Sequence, residues 1–410
     1  MIASRAGERE GAQMHNDSLP RQPLLRSRTH EAKVLNEELF FDLVYVFAVT
    51  QLSHYLLEHL TVLGAAQTLL MWFAVWLGWQ YTSWMTNWFN PGALPIRLVL
   101  FAIMMVALVM SAALPQAFGD RGLIFAACYA LIQVGRTAWV LLALERGSPM
   151  APNFRRMLAW LCVSAAFWIA GGLASDGMLR LGLWAVAVAC EYFSPMTGFA
   201  FPGLGRSATS EWTIDGGHLA ERCQLFVIVA LGESVLASGA SFALAKEWDV
   251  WAVFEMAVTF LGSIAMWWIY FDTSSKAASH VIEHAEDPGR IGALFHYIHV
   301  VLIAGIIASA VADDLVIGHG DHHVEPKYLA VLLGGPAIYL LGNALFKRVV
   351  HGSFPVSHGV GLLLLALLIP VIGHLSIAIA GTGTTVVVIV VALWDSMARR
   401  RRHATPQVGH

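Results

Sequence analysis

The sequence predicts an all-α fold, a polytopic transmembrane helix bundle of about twelve spans. Three observations carry that prediction. The 410 residues are 57% hydrophobic and only 13% charged, about half the charged fraction of a soluble domain, and the mean hydropathy is +0.62. Apolar runs of about 20 residues, the length of helix that matches the hydrocarbon thickness, recur along nearly the whole chain. Lysine and arginine gather in alternate connections, as loops on the cytosolic side of a membrane do.

Taken in order, the apolar runs lie near 38–59, 65–89, 95–117, 122–144, 155–175 and 178–198. The second six lie near 219–240, 250–272, 292–316, 327–346, 354–372 and 375–395. Polar or Gly/Pro breaks divide them, the weakest being Gly373 and His374 between the last two. Residues 1–34 are polar, with scattered Arg and no apolar h-region, and read as a disordered cytosolic tail without a signal peptide. Residues 35–210 then hold a first six-helix half, 211–398 a second, and 399–410 a basic cytosolic tail.

Orientation follows from the basic residues. With both termini in the cytosol, the inner side collects the tail arginines, Arg97, Arg155, Arg156, Arg206, Arg290, Lys347, Arg348 and the Arg399–Arg402 cluster. Only Arg121, Arg180, Lys246 and Lys327 fall outside, and Arg136 lies within the fourth span. An odd number of spans would put Arg399–Arg402 outside, against the rule. The predicted location is the plasma membrane, multi-pass. The charges sort by side, so the net charge of −3 points to no partner beyond the lipid bilayer, and no nucleic acid is expected.

Spans one and seven start on the same side, which permits a parallel 6+6 duplication. ELFFDLVYVFAVTQ and ERCQLFVIVALGES align without gaps from Glu38 and Glu221. GWQYTSW pairs with WWIYFDT, MSAAL with IASAV, and QVGRTAW with LLGNALF, in the same order.

Buried ionisable groups are expensive in hydrocarbon and usually face a bundle interior or a hydrated cavity. On the first span, 100° per residue puts Glu38, Asp42 and Tyr45 in one sector about 60° wide, and Gln51, His54 and Glu58 in another. Glu38 reads equally as an N-terminal cap favoured by the helix dipole. Glu233 lies about 18 Å beyond Glu221, close to the midplane, with Gly232 beside it to admit a neighbouring helix or water. Arg136 needs a counter-ion, for which Glu191, Asp42 and Glu233 compete. His218, Glu221 and Arg222 mark the cytosolic start of the seventh span, where Glu221 and Arg222 would form an interfacial pair. His296 and His299 share a face at i, i+3 and suit proton transfer, metal binding or, more simply, hydrogen-bonded packing.

No metal site or cofactor is expected. The loop IGHGDHHVE, 317–325, has the residue types for zinc or copper without the spacing of a preformed site. Cys128, Cys162, Cys190 and Cys223 form neither a disulfide framework nor a CxxC site. No lysine sits mid-span to hold retinal, and GxxxxGK[ST], GxSxG and HExxH are all missing. The chain leans away from being an enzyme.

ELFFDLVYVFAVTQLSH, HLAERCQLFVIVALGES and, between them, WQYTSWMTNWFNP resemble the bacterial low temperature requirement A family, LtrA, over roughly 35–395. The resemblance covers Glu38, Phe41, Asp42, Gln51, His54, Asn87, His218, Glu221, Arg222, Gly232, Glu233 and Ser234. It implies an integral membrane protein of the bacterial inner membrane, named for a growth phenotype, with no settled activity.

Two classes of function fit the residues. The first is a transporter or channel-like protein moving protons, cations or a small solute. Asp42 and Glu233, set by Arg136, would then converge on one wet interior, with Glu38 and Gln51 along the path and His54 linking it outward. The second is a membrane-embedded enzyme acting on a lipid or hydrophobic metabolite, with Glu233 and His54 as acid and base. A cold-adaptation scaffold without chemistry is a third possibility.

Overall fold

The helix ends are written in local chemistry. The side chains of Thr61, Asp176, Asp215, Asp249 and Asp287 each accept from a backbone N–H in the first turn of the helix that follows, satisfying groups that the helix itself cannot. Proline occupies the first turn of three others and of the Asp287-capped helix as well, where its missing N–H costs nothing. Gly352, at φ 74°, ends the helix that Pro326 opens, in the left-handed conformation that glycine adopts without strain.

The computed structural model describes residues 24–26, 33–208, 211–212, 214–245, 248–272, 281–282, 285 and 287–404. Most of the predicted 1–34 tail, Lys246, Lys276 and the last residues of the basic tail lie outside them. Among the described residues the chain is all-helical, with twelve rods: α1 Asn36–Glu58, α2 Val62–Trp88, α3 Leu94–Gln116, α4 Gly122–Ala143, α5 Ala151–Leu173, α6 Gly177–Met196, α7 Gly216–Ala243, α8 Val250–Phe271, α9 Pro288–His319, α10 Pro326–His351, α11 Val356–Ile372 and α12 Ile377–Ala404. Ten of these are long and apolar enough to cross a membrane. The exceptions are α11, with 17 residues, and α6, which carries Arg180, Glu191 and Pro195. α9 is longer than predicted: its 32 residues span about 48 Å, well beyond a hydrocarbon core of about 30 Å.

Burial is inverted relative to a soluble protein. On α1, Glu38 and Asp42 are 0% exposed while Phe40 and Leu43 are 55% and 56% exposed. A helix that shows its apolar side to the surroundings and hides its acids is suited to lipid. The two halves pack their helices through the same neighbours. In the first, α1 meets α2 and α3, α3 meets α4, α4 meets α5, α5 meets α6, and α6 returns to α2. In the second, α7 meets α8 and α9, then α9–α10, α10–α11 and α11–α12 follow, and α12 returns to α8. The halves join chiefly where α1 packs on α7 and α9.

Arg180 is buried rather than facing solvent. Its guanidinium donates to the carbonyls of Gly171, Ala117, Gly119 and Ala174, so a cation satisfies carbonyls that the helix ends leave free.

Candidate functional site

The face at which α1 and α7 begin is called the lower face here. There, positions four apart put Glu38 and Asp42 on one side of α1, and His218 and Arg222 on one side of α7. The two pairs meet. Arg222 Nη2 donates to Asp42 Oδ1 at 2.6 Å and to Ser83 Oγ at 3.3 Å, and Nη1 lies 3.5 Å from Glu38 Oε1. Trp79 Nε1 donates to the same Asp42 Oδ1 at 2.7 Å. The Arg222 guanidinium also lies over the rings of Phe41 and Trp79, 5.8 and 5.7 Å from their centroids.

Glu38 is held from three sides. The Asn87 amide donates to His218 Nδ1 at 3.1 Å, which leaves Nε2–H to donate to Glu38 Oε1 at 2.9 Å. Arg26, ahead of α1, donates to Glu38 Oε2 at 2.6 Å and to the Thr86 carbonyl at 2.6 Å. The Leu35 N–H donates to the same carboxylate at 3.0 Å. Glu38 is therefore both a cap and a member of a network that joins the two halves. Asn87 in turn reads the backbone of Asp215, donating to its carbonyl and accepting from its N–H, which fixes the start of α7. The expected Glu221–Arg222 pair is not what forms: Glu221 accepts from the Val34 N–H at 3.3 Å, and Arg222 turns inward to Asp42.

Above this lock sits an apolar layer. Trp76, Trp79 and Phe226 are fully buried, with ring centroids 4.8 Å apart for the two tryptophans and 4.7 Å apart for Trp79 and Phe226. Beyond it, eleven residues or about 16 Å along α7 from Arg222, Glu233 is buried next to Thr50 and His54 of α1. Asp42 and Glu233 thus belong to separate polar regions, and the single wet interior expected from sequence is not what the side chains form. His54 is exposed and Gln51 half-buried. Gly232 is exposed, and a Cβ there would meet nothing within 4 Å, so no helix approaches it as expected.

Arg136 reaches none of its three candidate acids directly. It donates to Gln133 Oε1 at 2.5 Å and Thr82 Oγ1 at 3.0 Å, and lies 5.4 Å from the Tyr81 ring centroid. Gln133 Nε2 passes the contact on, donating to Glu191 at 3.1 Å. Glu191 also receives hydrogen bonds from Tyr129, Ser164 and Trp168. The five residues Leu131–Gly135 wind as a π-helix, an insertion common at functional sites, and Gln133 lies inside it.

The second half carries a counterpart that the sequence reading missed. Lys347 on α10 and Ser357 on α11 both bond Asp395 on α12, and the Asn343 carbonyl faces His358 Nε2 at 3.1 Å. Each half thus ties a carboxylate on its sixth helix to a serine on its fifth and polar groups on its fourth. Lys347 reads as a helix-end charge in sequence. The available signal was its position four residues after Asn343, on the same helix face.

His299 and His296 are packed as core histidines: each ring Nδ1 meets a backbone carbonyl four residues earlier, and Tyr270 OH donates to His299 Nε2 at 2.8 Å. In the loop 317–325, no group of three potential ligands is arranged to hold a metal among the described residues.

At the upper face, α1, α7, α9 and α10 border an open cleft of about 1040 Å³ lined by Glu58, Ser241, Asp314, His319, Asp321 and Lys327 among others. Deeper in, Ser234 Oγ donates to Asp313 Oδ2 at 3.0 Å.

Comparison with known proteins places this arrangement in a family. The chain is 39% identical over 382 residues to an uncharacterized protein of Rhizobium meliloti (strain 1021), with 92% of each chain covered. The family model for the bacterial low temperature requirement A protein, LtrA, matches residues 33–393, from just ahead of the Glu38 cap to the last turns of α12. The protein is a multi-pass membrane protein and belongs to the LtrA family.

Proposed function

We propose that this protein is a transporter or channel-like protein that moves protons, cations or a small solute between two faces of the plasma membrane. All twelve rods cross in this reading, as two parallel six-helix halves with both termini cytoplasmic. The lower face is then the cytoplasmic one.

The observation that carries the reading is the asymmetry of the junction between halves. At the lower end it is closed by Glu38, Asp42, His218, Arg222 and Arg26, with the Trp76–Trp79–Phe226 layer above them. At the upper end it opens into a charged cleft. A path closed at one end and open at the other, with acids at depth, is what alternating access requires. Glu233 loads the transported species from the upper side, and the ion pairs at the lower end must separate to release it. Breaking buried pairs is costly unless new partners form, so opening is tied to what Glu233 carries.

Flux in proteoliposomes of the purified protein tests this, with a pH-sensitive dye and cation tracers as readouts. The wild type is expected to carry flux, and Glu233→Gln to abolish it while the protein stays folded. Turnover of a lipid or hydrophobic metabolite in detergent, with no gradient and no flux, would instead establish an enzyme.

A further inference from the structure

Between α8, α9, α10 and α12 lies a small cavity of about 30 Å³, enough for about two water-sized species. Its lining includes Asp313, Ser309, Thr259, Thr384 and Thr385. Three features of these side chains point to a ligand. Ser309 is 4% exposed, and its Oγ has no hydrogen-bond partner among the described residues. Thr259 and Thr384 donate their hydroxyl protons to backbone carbonyls of their own helices, Met256 O at 3.0 Å and Gly381 O at 2.9 Å. A hydroxyl that has placed its proton in this way presents only lone pairs to its other neighbours. Asp313 supplies the only carboxylate of the lining.

We propose that this cavity is a binding site for a small, largely dehydrated monovalent cation of the size of sodium, and that it is the coupling-ion site of the transport reading above, on which this role rests. Oxygen donors suit hard cations. One carboxylate balances one positive charge, whereas a divalent ion would leave a charge uncompensated in a low-dielectric interior. Ser234, which follows Glu233 on α7, gives its hydroxyl proton to Asp313 and thereby ties the site to the junction between halves. The route in is short: Asp314 lines the cleft while Asp313 lines the cavity, so two consecutive carboxylates on adjacent faces of α9 pass the ion inward.

The test uses the full chain purified in detergent, with ²²Na⁺ equilibrium binding at constant pH and ionic strength balanced by choline chloride. One saturable sodium per chain is expected. Asp313→Asn should abolish it, and Ser309→Ala, a variant that removes one oxygen and little volume, should weaken it about tenfold. No saturable binding by the folded wild type, binding untouched in both variants, or displacement by equimolar calcium would overturn the proposal. Flux without sodium binding would sink the site and leave transport standing. Sodium binding without flux of any tracer would do the reverse.

Discussion

At the scale of single residues, the charges of α1 are explained by where they point. Their inward turn was legible, because a spacing of four puts Glu38 and Asp42 on one face and a bilayer leaves that face nowhere favourable but the interior. Their partner was not legible. Spacing shows which face of α7 carries Arg222, but only packing decides that α1 lies against that face. Asp42→Asn leaves a buried guanidinium short of its counter-charge and should cost about 3 kcal/mol. The double variant Asp42→Asn/Arg222→Gln should cost less than the sum of the two single changes, since each single change already breaks the same pair. Thermal unfolding in detergent across the four proteins measures this, and strict additivity would show that the 2.6 Å contact carries no coupling. Asn87→Ala removes both the backbone clamp on Asp215 and the donor to His218. It should lower the unfolding midpoint more than Asn90→Ala does, where the side chain accepts from the nearby Gly92 N–H in a local turn.

At the scale of elements, close helix approach depends on a few glycines. A Cβ on Gly305 would lie 2.3 Å from the Tyr339 backbone nitrogen, and one on Gly342 would lie 2.7 Å from the Leu302 nitrogen and Cα. These contacts are with backbone, which cannot swing away, so α9 and α10 pack at a distance only glycine allows. Gly305→Ala should destabilise by about 1–3 kcal/mol, while Gly232→Ala, open on all sides, should be near neutral. Equal unfolding midpoints for the two variants would contradict the packing described. The π-turn at Leu131–Gly135 makes a second element-scale case. Deleting Val134 would remove the inserted residue and rotate Arg136 by about 100° relative to the turns before it. The Arg136–Gln133–Glu191 chain should then be lost, with a protein that aggregates or unfolds earlier. Nothing in the local sequence LIQVG announces the insertion, because its apolar pattern suits an α-helix as well.

At the scale of the whole molecule, the proposal of twelve crossings with both termini on one side makes a direct prediction. Reporter fusions at the N- and C-termini, one fluorescent only in the cytoplasm and one active only outside it, should give cytoplasmic signals at both ends. Opposite signals would require that α6 or α11, the two rods that fall short by length or apolarity, does not cross. Cysteine at Ser241, in the upper cleft, should react with an impermeant maleimide from outside, while cysteine at the buried Ser83 should not. Helices one to six and helices seven to twelve contact their neighbours in the same order, an order that four short sequence matches alone did not establish. The carboxylate clusters of Glu191 and Asp395 were not legible either, since their members lie on three different helices in each half.

What the sequence by itself determined is the medium, the helices and the family motifs. Hydrocarbon demands long apolar helices with internal backbone hydrogen bonds, and that demand acts on each segment separately, so apolar runs and the polar or Gly/Pro breaks between them were enough to find the twelve rods among the described residues. What only the tertiary structure decided is which buried charges meet. Glu38 and Asp42 went to His218, Arg26 and Arg222, Arg136 went to Gln133, and Asp313 joined Ser234. The reason is geometric: a helix turns its polar face inward for energetic reasons visible along the chain, but the partner across the interface is chosen by how far and at what rotation a distant helix is laid against it.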